Sequence, residues 1–226
     1  MSSSVSVRAG YHHGDLRNAL IEAAAELART GGPQAVTIRA AARAVGVTPT
    51  AAYRHFSGHE QLLDATRDEA MLRMSQAMNT ELACRPEDTD RVTRALRDLA
   101  AIGRGYLNFA LAQPGLFRTA FCLDAKPLPP VDEQVNDGPF QKLLTVLDEL
   151  VDCGYLPAER RPMAEFAAWS LVHGMATLLI DGALSDAGED VRKEVVVRSM
   201  TIFAEGLGGA TLTPELRAAV ADAARG

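Results

Sequence analysis

Five side chains with hydrogen-bonding heads fall within eight residues: Thr48, Thr50, Tyr53, Arg54 and His55, in the stretch Thr48-Pro-Thr-Ala-Ala-Tyr-Arg-His-Phe56. Helical spacing gathers them on the outer face of one short helix, with Pro49 and Ala51 in its first turn. Hydroxyl, phenol, guanidinium and imidazole groups set out in this way suit phosphate oxygens and the edges of bases.

Two elements must hold that face outward. Upstream, Ile38, Ala41, Ala42 and Val45 place apolar side chains on one side of a helix that ends at Gly46, a residue able to take the left-handed conformation. Val47 follows as an apolar plug. Thr48 and Pro49 then stand in the order of N-cap and first helical residue. Two short helices around a glycine turn predict a helix-turn-helix, whose second helix enters the major groove of DNA. Small Ala42 allows the helices to cross closely, and Ala52 falls on the inner side of the second. The same pattern also fits a plain amphipathic hairpin inside an all-helical core. A helix from about residue 15 to residue 30, with Leu16, Leu20, Ala23, Ala24 and Leu27 facing inward and Gly31-Gly32-Pro33 stopping it, would back the motif.

From Tyr11 to Thr66 the chain resembles the TetR family of transcriptional regulators. The resemblance is carried by the opening YHHGDLRNALIEAAAELA, the GVTP turn, the exit Ala-Tyr-Arg-His-Phe and the start of the next helix at Glu60-Gln61-Leu62-Leu63. Gln113–Phe121 and Trp169-Ser-Leu-Val-His-Gly174 look like marks of the subgroup whose C-terminal domain is named for a Trp…His-Gly motif. The resemblance implies an all-α fold, with an N-terminal three-helix DNA-binding domain and a larger helical ligand-binding and dimerisation domain. It implies that Thr37 caps the second helix and meets a phosphate, and it adds Arg39 and His59 to the DNA-facing set. The chain departs from the usual pattern at Ala52, where a larger aliphatic is common, and at His59, where a lysine often stands. A histidine there weakens a phosphate contact or makes it depend on pH.

Charge agrees with a DNA-facing amino end. The whole chain carries −6, but within residues 1–59 six arginines (Arg8, Arg17, Arg29, Arg39, Arg43, Arg54) face three carboxylates (Asp15, Glu22, Glu26), a balance of +3 that leaves −9 for the rest. At 47% hydrophobic and 23% charged residues, composition excludes disordered and fibrous classes. Three isolated cysteines, Cys84, Cys122 and Cys153, fit a reducing, cytoplasmic compartment and are read as small buried apolar residues. No metal site or cofactor is expected. His12 and His13 are read as cap or phosphate groups. No signal peptide is evident, and His173, Gly174 and Asp181 interrupt the longest apolar run, which excludes a membrane span.

The expected organisation is an arm at 1–10, the helix-turn-helix domain at 11–58 and an effector-binding and dimerisation domain at 59–226. Periodicity predicts helices over 59–84, about 96–110, 116–123, 138–153, 158–184 and 191–207, a loop over 124–135 and a short tail helix over 214–224. Helix 59–84 is long enough to act as a lever between the DNA-reading unit and the body.

Aromatic and aliphatic residues of the body predict a pocket for an apolar small molecule, lined by Met78, Phe109, Phe117, Phe121, Phe140, Leu144 and Trp169, with Asn108 and His173 as its polar groups. Solid core is the alternative. Ala167, Ser170, Gly174 and Leu178 on one helix, with Val195, Ser199 and Ile202 on the next, predict a twofold interface that would present two recognition helices to a palindromic operator. His173 has no nucleophile or orienting group beside it in sequence, so enzyme function is not expected. The sequence therefore points to a homodimeric repressor, released from double-stranded DNA by an effector. An effector-independent or architectural DNA-binding protein is the alternative, and a helical small-molecule carrier a more distant one.

Overall fold

The computed structural model describes residues 13–87, 90–122, 137–208 and 223. The expected arm at 1–10, His12, the loop at 124–135 and most of the expected tail helix lie outside the described residues, which contain helices and no strand. The chain divides into two compact units, 1–76 with 109–134 and 77–108 with 135–226.

In the first unit α1 (His13–Gly31) lies behind α2 (Ile38–Val45) and α3 (Pro49–Tyr53), with a 3-10 turn at Pro33–Ala35 leading into α2. Helix formation here is set by its ends. The Thr37 and Thr48 hydroxyls accept hydrogen bonds from the Ala40 and Ala51 backbone N–H groups at 3.1 and 3.2 Å, each satisfying a donor that has no partner within its helix. Gly46, at φ +79°, closes α2, and Val47 N–H donates to the Ala42 carbonyl across the turn, the pairing of a Schellman end. Ile38, Ala41, Ala42, Ala52 and Phe56 are buried, so the turn is held by its inner faces.

The buried stripe of α1 is Leu20, Ala24, Ala25 and Ala28, while Leu16, Ala23 and Leu27 are only half-buried. That rotation from the expected stripe has a partner. Helix α6 (Pro114–Ala120) packs on α1, and at Gly115 a Cβ would lie 2.3 Å from the Ala28 carbonyl oxygen and 2.6 Å from that of Arg29. Small residues on α1 are what allow this approach. Residues 59–76 of α4 (His59–Ala83) complete the unit through buried Leu62, Leu63, Thr66, Ala70 and Met74. Gln61 reaches back to the Ser57 N–H at 2.7 Å to fix the entry to this helix. Arg67 donates to the Ala120 carbonyl at the end of α6, and Arg73 bridges Glu69 and Glu22 of α1.

The second unit takes residues 77–83 of α4 and 91–108 of α5 (Arg91–Ala112), then α7 (Pro139–Asp152), α8 (Ala164–Ile180) and α9 (Glu189–Gly208). At Gly105 a Cβ would lie 2.5 Å from Met78 Cα, so α4 and α5 meet there backbone to backbone. The helix expected over 158–184 is corrected. Residues 158–160 form a 3-10 turn, and α8 starts at Ala164 after Pro162 and Met163, the latter at φ +66°. Proline supplies no N–H to a preceding carbonyl and its ring clashes with a continuing helix, which forces the break. The end of α9 is held by Tyr155, which donates to the Ala204 carbonyl, and by Arg160, which donates to that of Gly206. The cysteines are not buried as expected: Cys84 is exposed in the turn after α4, and Cys122 and Cys153 are half-buried.

Gly115→Ala should push α6 off α1 and destabilise the first unit by about 1–3 kcal/mol, the usual cost of overpacking. A lowered thermal midpoint with helicity otherwise retained is the expected readout.

Candidate functional site

The helix-turn-helix brings the DNA-facing set together on one surface. Thr37, Arg39, Thr48, Pro49, Thr50, Tyr53, Arg54 and His59 are exposed, Tyr53 to 50%, whereas Ala51 and His55 are half-buried. The helix is shorter than its sequence pattern: α3 ends at Tyr53, and Arg54 and His55 lie in the turn that follows, with His55 N–H donating to the Ala52 carbonyl. Beneath them Phe56 is buried, and the Arg17 guanidinium sits 5.2 Å from its ring centroid, a cation-π distance. A threonine hydroxyl that accepts from a backbone N–H still has its own hydrogen to donate. Thr37 and Thr48 can therefore cap their helices and bind a phosphate oxygen at once.

The nine residues expected to line one pocket are divided. Phe109, Phe117 and Phe121 belong to the first unit, where Phe117 and Phe121 pack at 5.1 Å between centroids. Met78, Asn108, Phe140, Leu144, Trp169 and His173 belong to the second. Asn108 does not point into a core: it is exposed, and its amide donates to Glu81 at 2.8 Å, beside the Arg104–Glu81 ion pair. Met78 is buried where α5 crosses α4.

Trp169 and His173 do come together, four residues apart on one face of α8, with a partner that sequence reasoning missed. Tyr106 of α5 is 3% exposed and its phenol oxygen lies 2.8 Å from His173 Nδ1. Phe140 of α7 meets Trp169 edge-on at 5.9 Å and Phe166 at 6.0 Å, and Trp169 meets His173 at 6.2 Å. Burial keeps both titratable groups neutral, pushing the Tyr106 phenol far above its ordinary range and the His173 imidazole below its own. Tyr106 was legible only as one polar-tipped ring in the apolar face of α5, the kind of residue that seeks a partner when buried.

Of the expected interface residues, Ala167, Ser170, Gly174, Leu178 and Ile202 are exposed and Val195 and Ser199 half-buried. Phe166, Val191 and Val197 add further exposed apolar surface to the same two helices, and Met163 adds more just before α8. A groove of about 440 Å³ lies where the start of α8 meets the end of α9, lined by Met163, Ala167, Ile202 and Phe203, with Arg160 at its edge. Among the described residues no group of His, Cys, Asp or Glu could hold a metal ion, and no helix is long and apolar enough to cross a membrane.

Comparison with known proteins decides the family. The model of "Bacterial regulatory proteins, tetR family" matches residues 20–66, which contain α2, α3 and the turn between them, and that of "Tetracyclin repressor-like, C-terminal domain" matches residues 99–203. Together these segments span more than half of the chain. The chain belongs to the TetR family of transcriptional regulators. A curated relative, the HTH-type transcriptional regulator YobS of Bacillus subtilis (strain 168), is 26% identical over 190 residues, covering 83% of this chain and 90% of its own. A structure of a protein of unknown function from Rhodococcus sp. RHA1 is 26% identical, with 88% of this chain and 98% of that one covered at a TM-score of 0.69. A TetR variant from Acinetobacter baumannii AYE, solved in complex with minocycline, shares the fold at 20% identity and a TM-score of 0.58, with 87% and 96% covered. The chain is thus a DNA-binding regulator of transcription and not an enzyme. Its C-terminal match includes both Gln113–Phe121 and Trp169–Gly174.

The neutral His173 carries a pH signature. The unfolded chain takes up this proton first, so the stability gained from keeping the ring neutral is full above about pH 6.5 and is lost as pH falls from there through the lower folded-state value. The thermal midpoint should fall between about pH 7.5 and 5.5, the interval in which histidines titrate, and fall less steeply in His173→Gln.

Proposed function

We propose that this regulator is a cytoplasmic, homodimeric repressor that leaves a palindromic operator when a small molecule occupies its second unit. One observation carries the DNA-binding half. Thr37 and Thr48 hold the helix ends with their oxygens while their hydroxyl hydrogens remain able to donate, on the surface that also exposes Arg39, Thr50, Tyr53, Arg54 and His59. In this reading Tyr53, His55 and the threonine caps bind phosphates and fix register, whereas Thr50 and Ala51 face base edges.

The outer faces of α8 and α9 support the dimer. Phe166, Leu178 and Ile202 are exposed to 43, 44 and 62%, and nothing lies within 4 Å of a Cβ placed on Gly174. Two such faces, related by a twofold axis, bury one another as a four-helix interface and set the recognition helices about one DNA turn apart, roughly 34–36 Å. The aromatic row around Tyr106 and His173 is the ligand site. Its occupant favours a conformation in which α4, a single helix with residues in both units, tilts and spreads the recognition helices. A coupling of about 1–3 kcal/mol changes operator affinity roughly 5- to 150-fold.

Ile202→Glu should give a monomer in sedimentation and abolish tight binding to a full palindrome from the DNA beside its own gene while leaving helicity intact. Tyr53→Phe should weaken binding evenly across operator variants, whereas Thr50→Ala should change the preferred base. A strictly monomeric wild-type protein, or operator binding unchanged by every molecule shown to bind the second unit, overturns the reading.

A further inference from the structure

Between residues 13 and 76 the arginines fall into two groups. Arg29 and Arg67 pair with Glu26 and Asp64, and Arg73 with both Glu22 and Glu69. Arg17, Arg39, Arg43 and Arg54 are exposed, and no carboxylate pairs with them among the described residues. The sequence withholds one locally: from Leu27 to His59 it contains neither Asp nor Glu. Arg39 and Arg43, four residues apart on α2, form a like-charge pair that weakens a short helix. Charges left uncovered in this way repel one another until an anion from outside meets them.

Three of the four belong to the helix-turn-helix. Arg17 does not: it lies near the start of α1 and reaches the reading surface through one contact, its guanidinium 5.2 Å from the centroid of the Phe56 ring. Phe56 is itself fixed, 1% exposed and with its N–H donating to the Ala52 carbonyl of α3 at 3.1 Å. A ring face attracts a cation but offers no acceptor oxygen. The contact therefore sets where the charge stands and leaves the guanidinium N–H groups to an acceptor from outside.

The kind of acceptor follows from the place. Recognition helices meet base edges with their N-terminal residues, and the helix behind crosses the backbone. Arg17 comes from the helix behind and stands at the exit of α3, not at its first turn. The anion at that place on a duplex is a phosphate, which a guanidinium can hold by two parallel N–H···O bonds.

We propose that Arg17 is a phosphate-binding residue of the DNA interface, supplied by α1 from outside the helix-turn-helix and aimed by Phe56. It rests on the reading of α3 as the recognition helix and adds to it a contact that carries affinity without sequence preference.

The full-length protein is titrated by fluorescence anisotropy against a duplex from beside its own gene and against a random-sequence duplex, between about 50 and 200 mM salt. Log affinity falls linearly with log salt, with a slope of about −0.9 for every phosphate neutralised. Arg17→Met keeps an apolar stem over Phe56 without the charge. It should flatten the slope by about 0.9 for each subunit bound and weaken both duplexes alike, about tenfold at low salt. Arg17→Gln should repeat this loss with a polar side chain, whereas Arg17→Lys should keep the slope. Arg91→Met removes the same charge from an exposed ion pair of the second unit and should leave the slope as in wild type. A disturbed α3 would lower affinity without moving the slope, and circular dichroism confirms that each variant is folded. An unchanged slope in folded Arg17→Met or Arg17→Gln, an equal flattening in Arg91→Met, or a loss confined to one operator base overturns the proposal and leaves the recognition-helix reading standing. A wild-type protein that binds neither duplex overturns both.

Discussion

The turn at Gly46 is the constraint on which the DNA-facing surface depends. Its left-handed backbone and the Val47 N–H to Ala42 bond set the angle between α2 and α3. With that angle fixed, Ala42 and Ala52 are buried against the core while Thr50, Tyr53 and Arg54 must face away from it. Helix α3 is only five residues long and could not hold itself in water. Its order comes from the Thr48 cap at one end and buried Phe56 just past the other. The surface that reads DNA is rigid because its underside is packed and both of its ends are tied.

Local rules made this part legible in advance. Thr-Pro as cap and first residue, Gly as helix end, and the small residues at the crossing each act within a few positions, and each is where sequence placed it. The helix boundaries of α4 and α7 were equally readable, because apolar spacing runs to a clear stop. The long helix expected across Pro162 failed for a local reason that was also visible, the missing N–H of proline.

What sequence did not disclose is non-local. Asn108 was expected as a polar group of the pocket, but it is exposed and its amide donates to Glu81. Tyr106 was overlooked because its meaning comes from Trp169 and His173, more than sixty residues on. The spacing of Trp169 and His173 does place both on one side of α8, so the Trp…His-Gly motif was half of a hydrogen-bonded cluster whose other half could be supplied only by folding.

The contact of Gly115 with the Ala28 and Arg29 carbonyls makes the reading head discontinuous in the chain. A strip from the middle of the sequence is laid on the first helix, close enough that no side chain fits between. The amino-terminal stretch is therefore not a cassette that can be cut out and grafted onto another body. During synthesis it must wait about thirty residues beyond α4 for the piece that covers its back, and a chimera joined before α6 would inherit the recognition helix without the floor it stands on.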